Sequence, residues 1–284
     1  RILSSAASDV YKRQILGLLD FILVPLPAAS IIISKFFIEF FLENNQYAFN
    51  CIVKFYFRDL LMKMNLKNKK LFIFDLDGTL VDTAPDFKNS LNYMLSELNE
   101  PLVTLEEIRN LVGYGARELI RRTVVTKNIS HDDDKINEML KIFLLHYTHN
   151  IDDDSVLFEN VETVLKLIKS KKLKLAVCTN KMEKLSNMLL EKLGVLHYFD
   201  YLVGGDTFAK SKPDPFPLIE ICKKLSVSEN ESIMIGDSAT DLNAGHNANM
   251  PVVLVGYGYT DNKNIYNDAD LVINNFSQLT ELIE

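Results

Sequence analysis

The segment that most constrains this chain is an apolar run that ends in two aspartates one residue apart. Residues 71–74 are apolar, Asp75 and Asp77 follow, and Gly78 then turns the backbone. A buried strand followed by a polar turn places both carboxylates at the strand's carboxyl end, where open α/β sheets bind ligands. Two carboxylates at this spacing can share one hard cation, and one of them can act as a nucleophile. An Asp-Gly pair alone would indicate only an ordinary turn.

Further polar segments lie near the ends of other apolar runs or just before helical patterns. Taken singly, each has an ordinary explanation, as a helix cap, a loop lysine or a turn. Their order along the chain is more informative: Asp-x-Asp, then Thr-Asn, then Lys-Pro, then Gly-Asp-x-x-x-Asp. The polar residues concerned, after the first pair, are Thr179, Asn180, Lys212, Asp237 and Asp241.

These segments, with the string 74–83, resemble the four motifs of the haloacid-dehalogenase-like superfamily of aspartate-nucleophile phosphatases. The resemblance extends over about residues 68–284. It implies an α/β fold with a doubly wound, Rossmann-like parallel sheet, and hydrolysis of a phosphomonoester through an aspartyl-phosphate. Dehalogenases of the superfamily lack the second aspartate. Asp77 therefore favours phosphoryl transfer, although the related mutases retain it.

The resemblance implies a role for each of these side chains in phosphoryl transfer. Asp75 is expected to be the nucleophile. Asp77 is expected to protonate the leaving oxygen and then to take a proton from water. Thr179, Asn180 and Lys212 are expected to bind the phosphoryl group, with the lysine supplying a fixed positive charge.

The resemblance also implies a Mg²⁺ site built from oxygen ligands alone. Asp75, Asp237 and the backbone carbonyl of Asp77 are the expected ligands, and Asp241 is expected to support them without contacting the metal. Oxygen ligands and retained waters are what Mg²⁺ prefers, so histidine and cysteine are not required.

Between the first and second motifs, apolar residues recur at helical spacing. Residues 84–155 are therefore predicted to be an all-helical insert, with Thr104 and Ser130 as the caps of two of its helices. The insert resembles the helical cap domain of the superfamily. Residues 64–83 and 156–284 are predicted to form the catalytic core, because apolar strands alternate there with helices.

Inside the predicted cap, Gly113 and Gly115 precede a helix that carries Arg117. This arrangement can bring backbone N–H groups and a guanidinium toward an anion, so Gly113 and Arg117 are candidate specificity residues. A plain turn between two helices is the alternative. The two interpretations stay open at this point.

Several strings look most like the phosphoglycolate phosphatase branch of the superfamily, which implies hydrolysis of 2-phosphoglycolate. A pyrophosphatase, a sugar-phosphate phosphatase and a β-phosphoglucomutase-like isomerase are the alternatives with the same fold. A membrane-tethered or regulatory binding protein is the alternative of another class. The strings lie at 82–86, 204–207, 212–217 and 256–259.

Residues 1–63 differ from the rest of the chain. The chain begins with Arg1, and the string 4–14 resembles a translated sequencing adapter. The longest apolar run, 21–34, holds two prolines and is shorter than the roughly 20 residues that a membrane span needs. We expect an artefactual or upstream-translated leader, with Met64 as a natural start, and a membrane-associating leader is the alternative.

Composition restricts the partners and the compartment. The formal net charge is −7, and residues 64–284 hold 24 basic and 33 acidic side chains. An acidic core argues against nucleic acid, and a small phosphomonoester is the expected partner. The three cysteines, Cys51, Cys178 and Cys222, form no paired framework, which indicates a reducing, cytoplasmic compartment.

Overall fold

Apolar strands separated by helices form the framework of the computed structural model, which describes Leu66, 68–260 and 262–283. The predicted leader, 1–63, lies outside the described residues. The described strands, in chain order, are β1 (Leu71–Phe74), β2 (Val81–Asp82), β3 (Val156–Leu157), β4 (Lys174–Cys178), β5 (Tyr201–Val203), β6 (Ser232–Gly236), β7 (Val252–Val255) and β8 (Leu271–Ile273).

Helices fill the intervals between these strands. The described α-helices are α1 (Ala84–Glu97), α2 (Leu105–Arg109), α3 (Ala116–Thr126), α4 (Asp133–His149), α5 (Val161–Ser170), α6 (Glu183–Lys192), α7 (Phe216–Leu225), α8 (Ala239–Asn247) and α9 (Thr280–Ile283). Short 3₁₀ helices cover Leu196–Tyr198, Glu229–Glu231, Lys263–Asn267 and Phe276–Leu279. Among the described residues, no helix has both the length and the apolar character needed to cross a bilayer.

Six strands form one parallel sheet in the order β5-β4-β1-β6-β7-β8. The chain runs from β1 outward to β5, and then returns to the other side of β1 and runs outward to β8. The predicted doubly wound α/β fold is therefore confirmed. In such a sheet, the crevice at the carboxyl ends of the strands lies where the winding reverses, here around β1.

The sheet is covered on both faces because successive side chains of a strand point to opposite sides. Phe72 and Phe74 belong to a core that includes the apolar face of α5. Leu71 and Ile73 belong to a second core that includes α7 and α8. Since all four residues of β1 are fully buried, this central strand fixes the position of whatever follows it.

Helices α1–α4 occupy the interval between β2 and β3. Those two strands pair antiparallel, with Val81 opposite Leu157, so the helical segment leaves and re-enters the rest of the fold at one place. Helices α1 and α4 pack through aromatic rings: the Phe87 centroid lies 6.3 Å from that of Phe143 and 4.8 Å from that of Tyr147.

The N-caps of this segment test two predictions. The Thr104 hydroxyl accepts the Glu107 N–H at 3.3 Å, and the Glu107 carboxylate accepts the Thr104 N–H at 2.7 Å, so the predicted capping box is confirmed. The prediction of Ser130 as the cap of α4 is wrong. Asp132 is the cap, and its carboxylate accepts the Lys135 N–H at 2.8 Å. A carboxylate is an equally good cap acceptor, and it lies directly before the helix.

A buried carboxylate joins the two ends of the helical segment. Asp86 on α1 is 1% exposed, and its carboxylate accepts the Ser155 N–H at 2.8 Å, the Ser155 hydroxyl at 2.6 Å and the Asp154 N–H at 3.0 Å. Charge-assisted hydrogen bonds of this kind are stronger than neutral ones. Asp86 therefore fixes the geometry of the paired connections.

Asp86→Ala should lower the stability of the full chain, because three donors would lose their acceptor. We expect a loss of about 3 kcal/mol, which corresponds to a melting midpoint lower by roughly 6–12 °C for a protein of this size. The neighbouring Asp153 is exposed, so Asp153→Ala is the matched control and should change stability by less than about 0.5 kcal/mol. Thermal unfolding followed by circular dichroism measures both; equal midpoints for the two variants would contradict the assignment.

Candidate active site

The register of the central strands brings the predicted site residues to one edge of the sheet. Phe74, the last residue of β1, lies beside Val177 of β4 and Ile235 of β6. Because these strands are parallel, the polar residues that follow them emerge at the same edge. Those residues, Asp75, Thr179 and Asp237, are each no more than 5% exposed.

A buried lysine joins two of the carboxylates. The Lys212 ammonium lies 2.8 Å from an Asp75 oxygen and 2.5 Å from an Asp241 oxygen. Burial opposes the charge on Lys212, but the carboxylates of Asp241 and Asp75 outweigh it and raise the pKa of Lys212 above its usual value. The ammonium is therefore a permanent positive charge against Asp75.

Asp241 is held by donors on the turn between β6 and α8. Its second oxygen accepts the N–H groups of Asp237 at 3.2 Å and Ser238 at 3.0 Å, and the Ser238 hydroxyl at 2.6 Å. A side chain at Gly236 would collide with it, since a Cβ there would lie 2.3 Å from the Asp241 carboxyl carbon. Both oxygens of Asp241 are thus engaged by the protein.

The carboxylate cluster has the composition of a divalent-cation site. Oxygens of Asp75, Asp237 and Asp241 all lie within 4.8 Å of one another. Burial raises the pKa of Asp75 to about 7 against the opposing charge of Lys212. Burial, with Asp241 and Asp75, also raises the pKa of Asp237 well above its usual value. When they are ionised, three buried carboxylates carry more negative charge than one ammonium neutralises, and a hard cation bound by oxygens can neutralise the rest.

The free oxygens of the cluster indicate which residues could contact that cation. Asp241 uses both oxygens within the protein, whereas Asp237 uses one, which accepts the Tyr259 N–H at 2.6 Å. Asp75 and Asp237 are thus better placed to donate an oxygen to a metal. The Asp77 carboxylate is not part of this cluster and pairs with Lys181.

Asn180 connects the site to the helical segment. Its amide nitrogen donates to the Gly113 carbonyl and to the Lys212 carbonyl, each at 3.0 Å. Gly113 therefore reaches the site and lines its cavity, but through a carbonyl oxygen rather than an N–H group. Thr179 lines the same cavity from the end of β4.

Arg117 is not brought to the site. Its guanidinium donates to the Asp133 carboxylate at 3.1 Å and to the Asn137 side chain, both on α4. Its side chain is about half exposed and does not line the cavity. A contact between Arg117 and substrate therefore stays a prediction.

Sequence reasoning missed Lys181, the residue after Asn180. Its ammonium lies 3.1 Å from an Asp77 oxygen and donates to the Tyr147 hydroxyl at 2.5 Å. It also lies over the Phe87 ring at 4.2 Å and the Tyr147 ring at 4.5 Å from the centroids. The side chain is 3% exposed, although a lysine in this position of a sequence would be expected in solvent.

One cavity contains these groups. Polar residues that follow the central strands and side chains of the helical segment both line it. The described lining residues are Asp75, Asp77, Phe87, Val112, Gly113, Gly115, Ala116, Leu119, Phe143, Leu144, Tyr147, Thr179, Asn180, Lys181, Met182 and Leu185.

The chain is similar to known proteins of one family. The model of the haloacid dehalogenase-like hydrolase family matches residues 72–255. A phosphoglycolate phosphatase of Chromobacterium violaceum is 36% identical over 222 residues, which cover 78% of this chain and 99% of that protein. One of Agrobacterium fabrum is 39% identical over 210 residues, which cover 74% of this chain and 90% of that protein.

A solved structure shares the fold. The crystal structure of a predicted phosphoglycolate phosphatase from Haemophilus somnus superimposes with a TM-score of 0.73 at 31% sequence identity. The match covers 76% of this chain and 98% of that one.

Asp237→Asn should weaken binding of a divalent cation, because it removes a charge from the carboxylate cluster. We expect a loss of about 10- to 100-fold in affinity for a divalent cation, measured by calorimetric titration of the full chain with Mg²⁺ as the probe. Asp268 is exposed, and Asp268→Asn should leave the affinity unchanged. Equal affinities for Asp237→Asn and the unsubstituted chain would exclude Asp237 as a ligand.

Proposed function

The chain belongs to the haloacid dehalogenase-like hydrolase family and is a phosphoric monoester hydrolase, and from that premise we propose that it hydrolyses 2-phosphoglycolate with Mg²⁺. The observation that carries the proposal is the buried ion pair of Asp75 with Lys212 beside the other carboxylates. The phosphoglycolate phosphatases among its relatives support the choice of substrate.

In the first proposed step, an Asp75 oxygen attacks phosphorus as the bond to the glycolate oxygen breaks. Lys212 neutralises charge between the carboxylate and the anionic phosphoryl group, which would otherwise repel each other. Thr179 donates its hydroxyl to a phosphoryl oxygen. Asp77 gives its proton to the leaving oxygen, so that glycolate departs as an alcohol.

In the second proposed step, Asp77 takes a proton from water, and that water attacks the aspartyl-phosphate. The bond between phosphorus and Asp75 breaks, and the free carboxylate is restored with release of phosphate. Asp75, Asp237 and the Asp77 carbonyl would hold Mg²⁺. When bound, the ion supplies further positive charge to the phosphoryl oxygens. Asp241 keeps Lys212 and the turn after β6 in place.

We also propose that helices α1–α4 act as a cap over this reaction. Their apolar side chains form one wall of the cavity, and the paired strands β2 and β3 provide a narrow connection about which the segment could open. A closed cap would exclude water from the aspartyl-phosphate until glycolate has left.

Asp75→Asn and Asp77→Asn should differ in their effects on turnover. The first should lose essentially all activity, because an amide cannot form the acyl phosphate. The second should lose about 10²–10⁴-fold on alkyl phosphates, the usual range for general acid catalysis, and less on 4-nitrophenyl phosphate, whose leaving group needs no proton. Steady-state rates of phosphate release measure the turnover of both variants. If Asp77→Asn lowers turnover equally on the alkyl and the aryl phosphate, Asp77 is not the general acid.

A substrate panel tests the assignment of 2-phosphoglycolate. The full chain should show its highest kcat/KM for this ester when compared with pyrophosphate and hexose phosphates. Chelation of divalent metal should abolish phosphate release, and added Mg²⁺ should restore it. A preference for pyrophosphate or a hexose phosphate would refute the substrate and leave the phosphatase chemistry standing. Activity that survives chelation would refute the role of the metal.

A further inference from the structure

Lys181 is the feature of the cavity that the proposed steps leave without a role. Among the described residues that line the cavity, it is the one lysine or arginine. Its side chain is almost fully buried, which is costly for a cation, and burial lowers the pKa of Lys181 despite the opposing effect of Asp77. A buried ammonium that lines a cavity is suited to bind an anionic ligand.

The position of Lys181 relative to Asp77 defines which ligand group it would meet. As the proposed proton donor, Asp77 must lie within hydrogen-bond distance of the ester oxygen of the leaving alcohol when the substrate is bound. The Lys181 ammonium is 3.1 Å from the same carboxylate, and hence adjacent to the first atoms of that alcohol. In 2-phosphoglycolate, the carboxylate is separated from the ester oxygen by a single methylene group. An anion that close to the ester oxygen falls within reach of the ammonium.

Tyr147 offers a second donor at the same place. Its hydroxyl oxygen accepts from Lys181 at 2.5 Å, and no hydrogen bond among the described residues uses its own proton. Burial, together with Asp77 and Asp86, raises the pKa of Tyr147 well above its usual value, so the hydroxyl keeps that proton. One carboxylate oxygen could therefore face the ammonium while the other accepts the phenol proton.

The surroundings hold this pair of donors in a fixed place. Lys181 lies over the rings of Phe87 and Tyr147, and these two rings stack on each other. Cation–π contacts in a desolvated site stabilise the ammonium without neutralising it. Apart from Tyr147, the described side chains that the helical segment contributes to the cavity are apolar, so a neutral alcohol group would gain no charge-assisted contact from them.

We propose that Lys181 and Tyr147 form the subsite that binds the carboxylate of the leaving alcohol, which selects phosphomonoesters of 2-hydroxycarboxylates. The inference rests on the proposed function for the reaction itself, and it assigns the recognition of the substrate's second anion to the core residue Lys181 rather than to Arg117. Lys181 acts here by contact with the substrate, and Tyr147 by donating a hydrogen bond to it.

The test compares two substrates that differ in this one group. Ethyl phosphate has a methyl group where 2-phosphoglycolate has the carboxylate. Lys181→Met in the full chain should lower the ratio of kcat/KM for 2-phosphoglycolate to that for ethyl phosphate by about 10- to 150-fold. Tyr147→Phe keeps the ring and should lower the same ratio by about 2- to 10-fold. Lys184→Met, at an exposed position of α6, is the matched control and should leave the ratio unchanged.

The ratio separates recognition from general damage to the site, because a disturbed Asp77 would slow both substrates alike. Binding of glycolate, followed by ligand-observed NMR, gives a readout that needs no turnover. Glycolate should bind the unsubstituted chain and the Lys184→Met variant, and should fail to bind Lys181→Met. If Lys181→Met does not fold, the subsite is tested with Tyr147→Phe instead, by its ratio of kcat/KM for the two esters and by its binding of glycolate.

Three outcomes would overturn the inference. The first is an equal loss on both substrates with glycolate binding unchanged in Lys181→Met. The second is a selective loss on 2-phosphoglycolate in Arg117→Ala that Lys181→Met does not show. The third is no binding of glycolate to the unsubstituted chain. A different result would separate the two proposals. If the unsubstituted chain binds glycolate, Lys181→Met does not, and neither ester releases phosphate, the proposed function is refuted and the subsite remains supported.

Discussion

The site depends on one electrostatic constraint, the burial of several carboxylates around a single ammonium. Lys212 contacts Asp75 and Asp241 together, and Asp237 lies within reach of both carboxylates. Removing such charges from water is costly unless they are paired and hydrogen-bonded. The strand register fixes the positions of the carboxylates, and N–H groups at the start of α8 stabilise Asp241 by hydrogen bonds. The negative charge that these carboxylates carry beyond that of the ammonium makes the cluster suited to a divalent cation.

The same cluster is physically connected to the helical segment. Tyr259 donates its N–H to Asp237, and its hydroxyl accepts the N–H groups of Thr83 and Ala84 at the start of α1 while donating to Asp82. This phenol therefore takes the place of a side-chain cap, which α1 lacks. A shift of the turn that holds Asp237 would be transmitted to the first residues of the helical segment through one rigid side chain.

Much of this arrangement could be predicted from the sequence because the core strands are short, apolar and followed by distinctive polar residues. Asp75 and Asp237 could be located because strand ends are visible in a sequence and parallel strands align those ends. Lys181 could not. It follows Thr179 and Asn180 in an ordinary helix-start pattern, and its burial depends on rings more than 30 positions away. Arg117 shows the converse: a glycine-rich turn before a helix suggested an anion site, but α4 provides closer partners for that guanidinium.

Core and helices contribute different chemistry to the cavity. The core supplies both aspartates, Thr179 and Lys181, whereas the helical segment supplies apolar side chains and, among its described lining residues, Tyr147 as the one side chain with a polar group. An apolar wall over charged groups lowers the local dielectric constant and so strengthens every electrostatic contact beneath it. The helices need not carry charge to influence catalysis. Under the proposed function, their contribution would be the exclusion of water, and their selectivity would be confined to what one phenol and the shape of the cavity can distinguish.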